Sequence, residues 1–144
     1  MKHILIAAAL ALASGLAAAQ ATPVGLWKTI DDETGKEKSL VRVTEDKGVF
    51  SGRIEKLLMP PSNPNCVKCE DERKGQPLEG LTILRNIKAG DEAGTWGGGD
   101  ILDPKNGKVY KVRLKTLEGG KKLEVRGYVG APVFGRSQTW QRAE

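Results

Sequence analysis

From residue 25 onward, apolar and polar residues alternate in short runs separated by turn residues. The clearest run spans residues 110–115, where Tyr110, Val112 and Leu114 share one face and Lys111, Arg113 and Lys115 the other. Strand side chains alternate with period two, so this pattern predicts a strand with one buried and one wet face. In residues 122–129, Leu123, Val125, Gly127 and Val129 likewise alternate with Lys122, Glu124, Arg126 and Tyr128. Six further strands are predicted at residues 25–30, 39–44, 49–57, 81–87, 95–102 and 136–142. Asp31–Lys36, Glu45–Gly48, Lys88–Asp91, Asp103-Pro104-Lys105-Asn106-Gly107 and Glu118-Gly119-Gly120 supply the turns. No stretch after the first twenty residues has the periodicity of an amphipathic helix. Eight strands joined mostly by tight turns predict an all-β fold and an antiparallel sheet. A sheet of that size must pack on another layer or close on itself. An up-and-down barrel closes with fewest assumptions and removes exposed edges; a two-sheet sandwich is the second possibility. One connection is out of scale, the proline-rich loop at 58–80 with Pro60, Pro61, Pro64 and Pro77.

The first residues follow a different logic. Met1-Lys2-His3 is a short positive start, an apolar run follows to Ala19, and Ala17-Ala18-Ala19 and Ala19-Gln20-Ala21 both match the small-residue cleavage pattern. The run is short for a membrane span. It reads as a signal peptide over 1–21, cut after Ala19 or Ala21, followed by one domain over 22–144. Such a product is exported, periplasmic or secreted, with no later span. Removing the leader changes the chemistry available. The chain's one histidine is His3, so the mature protein has none. Ser-His-Asp and Cys-His catalysis, histidine-containing zinc sites and histidine-ligated haem fall away, as does the usual general base near neutral pH. Net charge falls from +5 to +4 with the loss of Lys2. Acids and bases are interspersed, without a block of like charge that marks a nucleic-acid binder.

Several segments also resemble known families. Gly25-x-Trp27 opens the first strand and Thr139-Trp140-Gln141-Arg142 closes the last. This is similar to the calycin, or lipocalin-like, barrels, which begin with G-x-W and carry an arginine on the last strand. The resemblance implies that first and last strands pair and that Arg142, with Arg136 as second choice, lies over Trp27 as a cation–π partner. Gly25, Trp27 and Arg142 are thus the barrel-closing residues it implies. More specifically, the chain from about Val24 to Arg142 resembles the exported family called domain of unknown function 2147. That rests on Gly25-Leu26-Trp27-Lys28-Thr29-Ile30-Asp31-Asp32, Cys66-x-x-Cys69, Pro77-Leu78-Glu79-Gly80-Leu81, Trp96-Gly97-Gly98-Gly99, Ile101-Leu102-Asp103-Pro104-x-Asn106-Gly107-Lys108-x-Tyr110, and Arg126-Gly127-Tyr128-x-Gly130 with Gly135–Trp140. The family implies a lipocalin-like barrel and no particular activity.

The residues that could carry chemistry are few. Cys66-Val67-Lys68-Cys69 lacks a following histidine for haem attachment, and Glu70-Asp71-Glu72 disfavours an activated thiolate. It reads as a local disulfide of an oxidising compartment, with a redox-active pair or a carboxylate-assisted metal site as alternatives. The glycines of Trp96-Gly97-Gly98-Gly99-Asp100 mark a bulge or barrel corner, or close approach by a ligand. Asp100 and Asp103 invite an acid/base reading, but Asp103-Pro104 is an ordinary turn start and Asp100 has no identifiable partner in the sequence. Long loops often act as lids or binding loops, so 58–80 is expected over the mouth of the barrel or against a partner. The expected function is non-catalytic binding of a small, partly apolar or amphipathic ligand, with Trp96, Asp100, Tyr110, Tyr128 and Phe134 as candidate contacts. No cofactor or metal is expected. The alternative is an envelope accessory or inhibitor that contacts a periplasmic protein through the 58–80 loop.

Overall fold

The structure, a computed structural model, describes residues 21–144. The expected signal peptide lies almost wholly outside the described residues. Eight strands follow in order: β1 (Gly25–Ile30), β2 (Glu37–Asp46), β3 (Val49–Leu57), β4 (Thr82–Ala89), β5 (Thr95–Asp103), β6 (Lys108–Leu117), β7 (Lys122–Tyr128) and β8 (Gly135–Arg142). Each pairs antiparallel with the next, and β1 pairs with β8 through Trp27↔Arg142 and Lys28↔Gln141, which closes the barrel. The strands run further than the alternation indicates in β2 and β6, because cross-strand pairing carries polar residues such as Glu45 and Lys108 into the ladder. Pairing with a neighbour supplies the backbone partners that an exposed polar segment would otherwise take from water.

Closure sorts the side chains. Directly opposed residues point to the same face of a sheet. Trp27↔Val41, Val41↔Ile54, Trp96↔Leu114, Leu114↔Val125 and Leu123↔Trp140 are all buried pairs on the inner face. Trp27, Val41, Leu84, Val112, Leu114 and Leu123 are sealed from solvent completely, at 0% exposure. Phe50 meets Trp96 edge to face, with ring centroids 6.2 Å apart, a geometry aromatic quadrupoles favour. Much of the barrel interior is therefore occupied by the protein's own side chains.

The Trp96–Asp100 run contains a bulge. Trp96 pairs with Leu114 and Gly99 with Val112, so three steps on β5 match two on β6. A β-carbon on Gly99 would collide with the carbonyl oxygen of Arg85 on β4, where Asn86 turns to a positive φ of 57°. Backbone-to-backbone approach, not an open ligand site, is what that glycine accommodates.

The loop at 58–80 does not close the mouth as a lid. It lies against the outer wall of β4 and β5. Leu84 and Ile101 are paired on the inner face, so the adjacent Ile83 and Leu102 are turned outward, yet both are buried, at 6% and 2%. Cys66, Cys69, Leu78 and Leu81 join them in the same packed apolar cluster. The β5–β6 turn anchors the far side: a β-carbon on Gly107, whose φ is +75°, would overlap the carbonyl of Lys68. Burying an outward apolar residue under a loop stabilises both, at roughly 1.5–3 kcal/mol per fully buried side chain. This second apolar layer keeps a segment of this length ordered.

Candidate functional site

One end of the barrel is shut by its first and last strands. The guanidinium carbon of Arg142 stands 4.2 Å above the Trp27 ring. Its nitrogens donate to the carbonyls of Gly120 (2.6 Å), Thr22 (2.8 Å) and Val24 (2.8 Å), tying the N-terminal segment across the opening. Trp27 Nε1 donates to the Pro23 carbonyl at 2.7 Å. A β-carbon on Gly25 would run into the Arg142 guanidinium. Burial lowers the pKa of Arg142 from its ordinary value, but an arginine so far above neutrality stays charged.

The other end carries the long loops and is less tightly sealed. Ile101, Tyr110 and Gly127 meet on the inner face there: a β-carbon on Gly127 would lie 3.5 Å from Ile101 and 3.6 Å from Tyr110. All three are half-buried, whereas Val112, Leu114 and Val125 deeper on the same strands are buried. Asn106 donates to the Tyr110 hydroxyl at 3.0 Å, and Gln138 donates to Asp32 at 2.8 Å across the rim.

The five residues considered as ligand contacts do not converge. Trp96 is a core residue packed on Phe50. Tyr110 lies inside, at the looser end. Asp100 and Tyr128 are on the outer face, where they flank Lys111 in one cross-strand row. Phe134 lies on the β7–β8 loop and is 77% exposed. Cys66 and Cys69 form a disulfide, each 1% exposed. Asp103 caps its turn, accepting from the Lys105 amide at 2.9 Å.

One concavity is a feature that sequence reasoning missed. A groove of about 470 Å³ runs between the 58–80 loop and β4, lined by Glu72, Arg73, Gln76, Leu81, Thr82 and Arg85. Thr82 also borders a second hollow of about 330 Å³, with Arg42, Thr44, Ser51 and Arg53 on the outer wall of β2 and β3. The groove walls are held by charge. Arg73, 5% exposed, donates to both Asp71 oxygens and to the Thr82 carbonyl at 2.8 Å. The Arg73 side chain, then its amide, hold the Asp71 carboxyl down to about 2, against the opposing effect of burial. Arg85 bridges Asp100 (3.4 Å), Glu72 (2.7 Å) and Asp71 (3.6 Å). Burial works against its charge, but these carboxylates, Asp100 first, raise its pKa. The sequence carries no periodic signal for this site, because half of it comes from an irregular loop. Arg53, by contrast, enters no ion pair among the described residues, leaving a guanidinium available at the second hollow.

A closed eight-stranded antiparallel barrel, with an arginine of the last strand lying over the tryptophan of the first, is a lipocalin-like barrel. That fold defines the class to which the molecule belongs. The chain belongs to the bacterial family described as "Uncharacterized protein conserved in bacteria (DUF2147)", whose model matches residues 25–142. Among solved structures it is similar to protein HP1028 from the human pathogen Helicobacter pylori, described as belonging to the lipocalin family. The two are 20% identical and superpose with a TM-score of 0.72, covering 84% of this chain and 82% of that one. That likeness is one of fold. No curated protein is similar enough to the chain to be matched with it. Within the described residues no helix is long and apolar enough to cross a membrane.

Proposed function

We propose that this protein is an exported, non-catalytic binder of a small, partly apolar molecule, held in the groove between the 58–80 loop and β4. The observation that carries this reading is the groove itself, about 470 Å³ in volume. That is within the range of small-molecule sites, which run to roughly 300–1,000 Å³. It offers apolar surface at Pro77, with hydrogen-bonding groups at Gln76, Thr82 and Arg85. Its walls are preorganised by the disulfide and by the Arg73–Asp71 pair, so a ligand need not order the loop to bind. The Arg53 guanidinium at the adjoining hollow favours a ligand with an acidic group. The disulfide is the chemistry of an oxidising compartment, which supports export.

The test is mass spectrometry of the native protein purified from its source. A copurifying small molecule is expected, and it should be lost from a Thr82→Trp variant, whose indole fills the junction of the two hollows. Retention of the ligand by that variant and its loss from Gly127→Leu would move the site to the barrel mouth. No copurifying molecule, together with no thermal shift against a panel of amphipathic acids, would refute the reading.

A further inference from the structure

Charge is distributed unevenly around the barrel. Residues 108–142, which make up β6, β7 and β8 with their turns, contain nine basic and two acidic residues; residues 21–107 contain thirteen basic and fifteen acidic. The first group builds one continuous wall, because β6 pairs with β7 and β7 with β8. Lys111, Arg113 and Lys115 stand exposed along the outer face of β6, and none of them enters an ion pair among the described residues. Arg113 lies directly opposite Arg126. Like charges in that position destabilise a sheet, and no carboxylate pairs with Arg113 among the described residues. The two carboxylates that face these cations are already engaged. Asp100, opposite Lys111, is paired with Arg85, and Glu124, opposite Lys115, accepts from Ser137.

Beside this cationic wall is the most exposed apolar surface among the described residues. Val129, Val133 and Phe134 are 68%, 74% and 77% exposed, all on the β7–β8 loop. The loop is held in place. Arg126 Nε donates to the Pro132 carbonyl at 2.6 Å, and the Phe134 amide to the Ala131 carbonyl at 3.0 Å. The loop starts directly after Tyr128, which lies opposite Lys111, so it leaves the barrel beside the Lys111 end of the wall. An apolar tip beside a wall of lysine and arginine matches a bilayer interface, where the tip enters the acyl boundary and the cations meet phosphate groups.

We infer that the outer wall of β6–β8 docks this protein on an anionic lipid surface, with Val133 and Phe134 inserted and Lys111, Arg113 and Arg126 facing the headgroups. This goes beyond the groove reading and is independent of it, since the two surfaces share no residue.

The test is co-sedimentation of the chain from Ala21 onward, which comprises the whole closed barrel, with phosphatidylcholine vesicles with and without phosphatidylglycerol. Binding is expected only to the mixed vesicles, and raised salt should weaken it. Lys111→Ser/Arg113→Ser should weaken it about 25-fold, from about fivefold per cation at a charged surface. Val133→Ser/Phe134→Ser should weaken it by about tenfold or more. Both variants change exposed side chains, so their melting curves should match the wild type and separate lost docking from lost folding. Equal sedimentation with uncharged vesicles, or none with either, overturns the inference. Undiminished binding by the loop variant also overturns it, and together with competition by soluble heparin would reassign the wall to polyanions in general. Capture of an acidic protein through this wall without vesicle binding likewise rejects it.

Discussion

Replacing Arg142 with alanine removes a side chain that ties the first strand, the last strand and the N-terminal segment together. Its loss can be sized from the contacts. The stacking on Trp27 at 4.2 Å is a cation–π contact of about 0.5–2 kcal/mol. The bonds to Gly120, Thr22 and Val24 are charge-assisted, and such bonds contribute about 1.5–3 kcal/mol each. They do not add in full. Thr22 and Val24 are exposed and water can replace the guanidinium there, whereas Gly120 is buried and its carbonyl is left without its side-chain donor. Roughly 3–4 kcal/mol is therefore expected from Arg142→Ala, a large fraction of the ~5–15 kcal/mol that holds a typical domain together. For a domain of this size that corresponds to a fall in melting temperature of roughly 10–15 °C. Arg142→Lys keeps the charge but not the planar fork that reaches three carbonyls, so it should recover less than half of the loss. Urea unfolding followed by tryptophan fluorescence measures both. A loss below about 1 kcal/mol for the alanine variant, or full stability in the lysine variant, would falsify the argument that this fork closes the barrel.

Three further perturbations follow from the same structure. Gly99→Ala pushes a methyl group into the Arg85 carbonyl, which only movement of β4 can relieve; a loss of about 2 kcal/mol or more is expected, and a melting temperature equal to wild type would contradict it. Asp71 has its folded pKa lowered to about 2, so the stability it contributes is present above its unfolded value near 3.8 and is lost as pH falls through 2. Stability measured across that interval should be flatter in Asp71→Asn than in wild type, and parallel curves would show that the Arg73 pair does not act this way. Cys66→Ala/Cys69→Ala opens a very short covalent loop, for which chain entropy gives roughly 2 kcal/mol. Hydrogen exchange should then rise at Leu78 and Leu81 more than in β6, and uniform loss of protection would refute a local role for the disulfide.

Much of the barrel was legible in the strand alternation. The 110–115 and 122–129 runs give β6 and β7 with their inner residues, Val112, Leu114, Leu123 and Val125, and the turn at Asp103–Gly107 is where the residues place it. The glycine run before Asp100 announced an irregularity, and the structure contains a bulge there. The groove was not legible. Its lining falls within residues 72–85, but no periodic signal connects a loop residue to the strand it will cover. The cationic wall was countable in the sequence but hidden by interspersion, since its charges alternate with apolar residues along each strand and gather only when three strands lie side by side.

Period-two alternation divides each strand into two faces, and that division is local, because successive side chains must point to opposite sides of a pleated backbone. Turn residues set where each strand ends, so the number of strands and the membership of each face were determined by the sequence by itself. What covers a face is decided by residues elsewhere in the chain. Leu102 is turned outward yet sealed by a loop that begins some forty residues earlier. Asp100 and Tyr128 flank the same lysine on the wet side. Only the closed barrel, with its strap laid along β4 and β5, made the interior a packed core and moved the available surfaces to the outside, because burial depends on the whole packing while alternation depends only on the pleat.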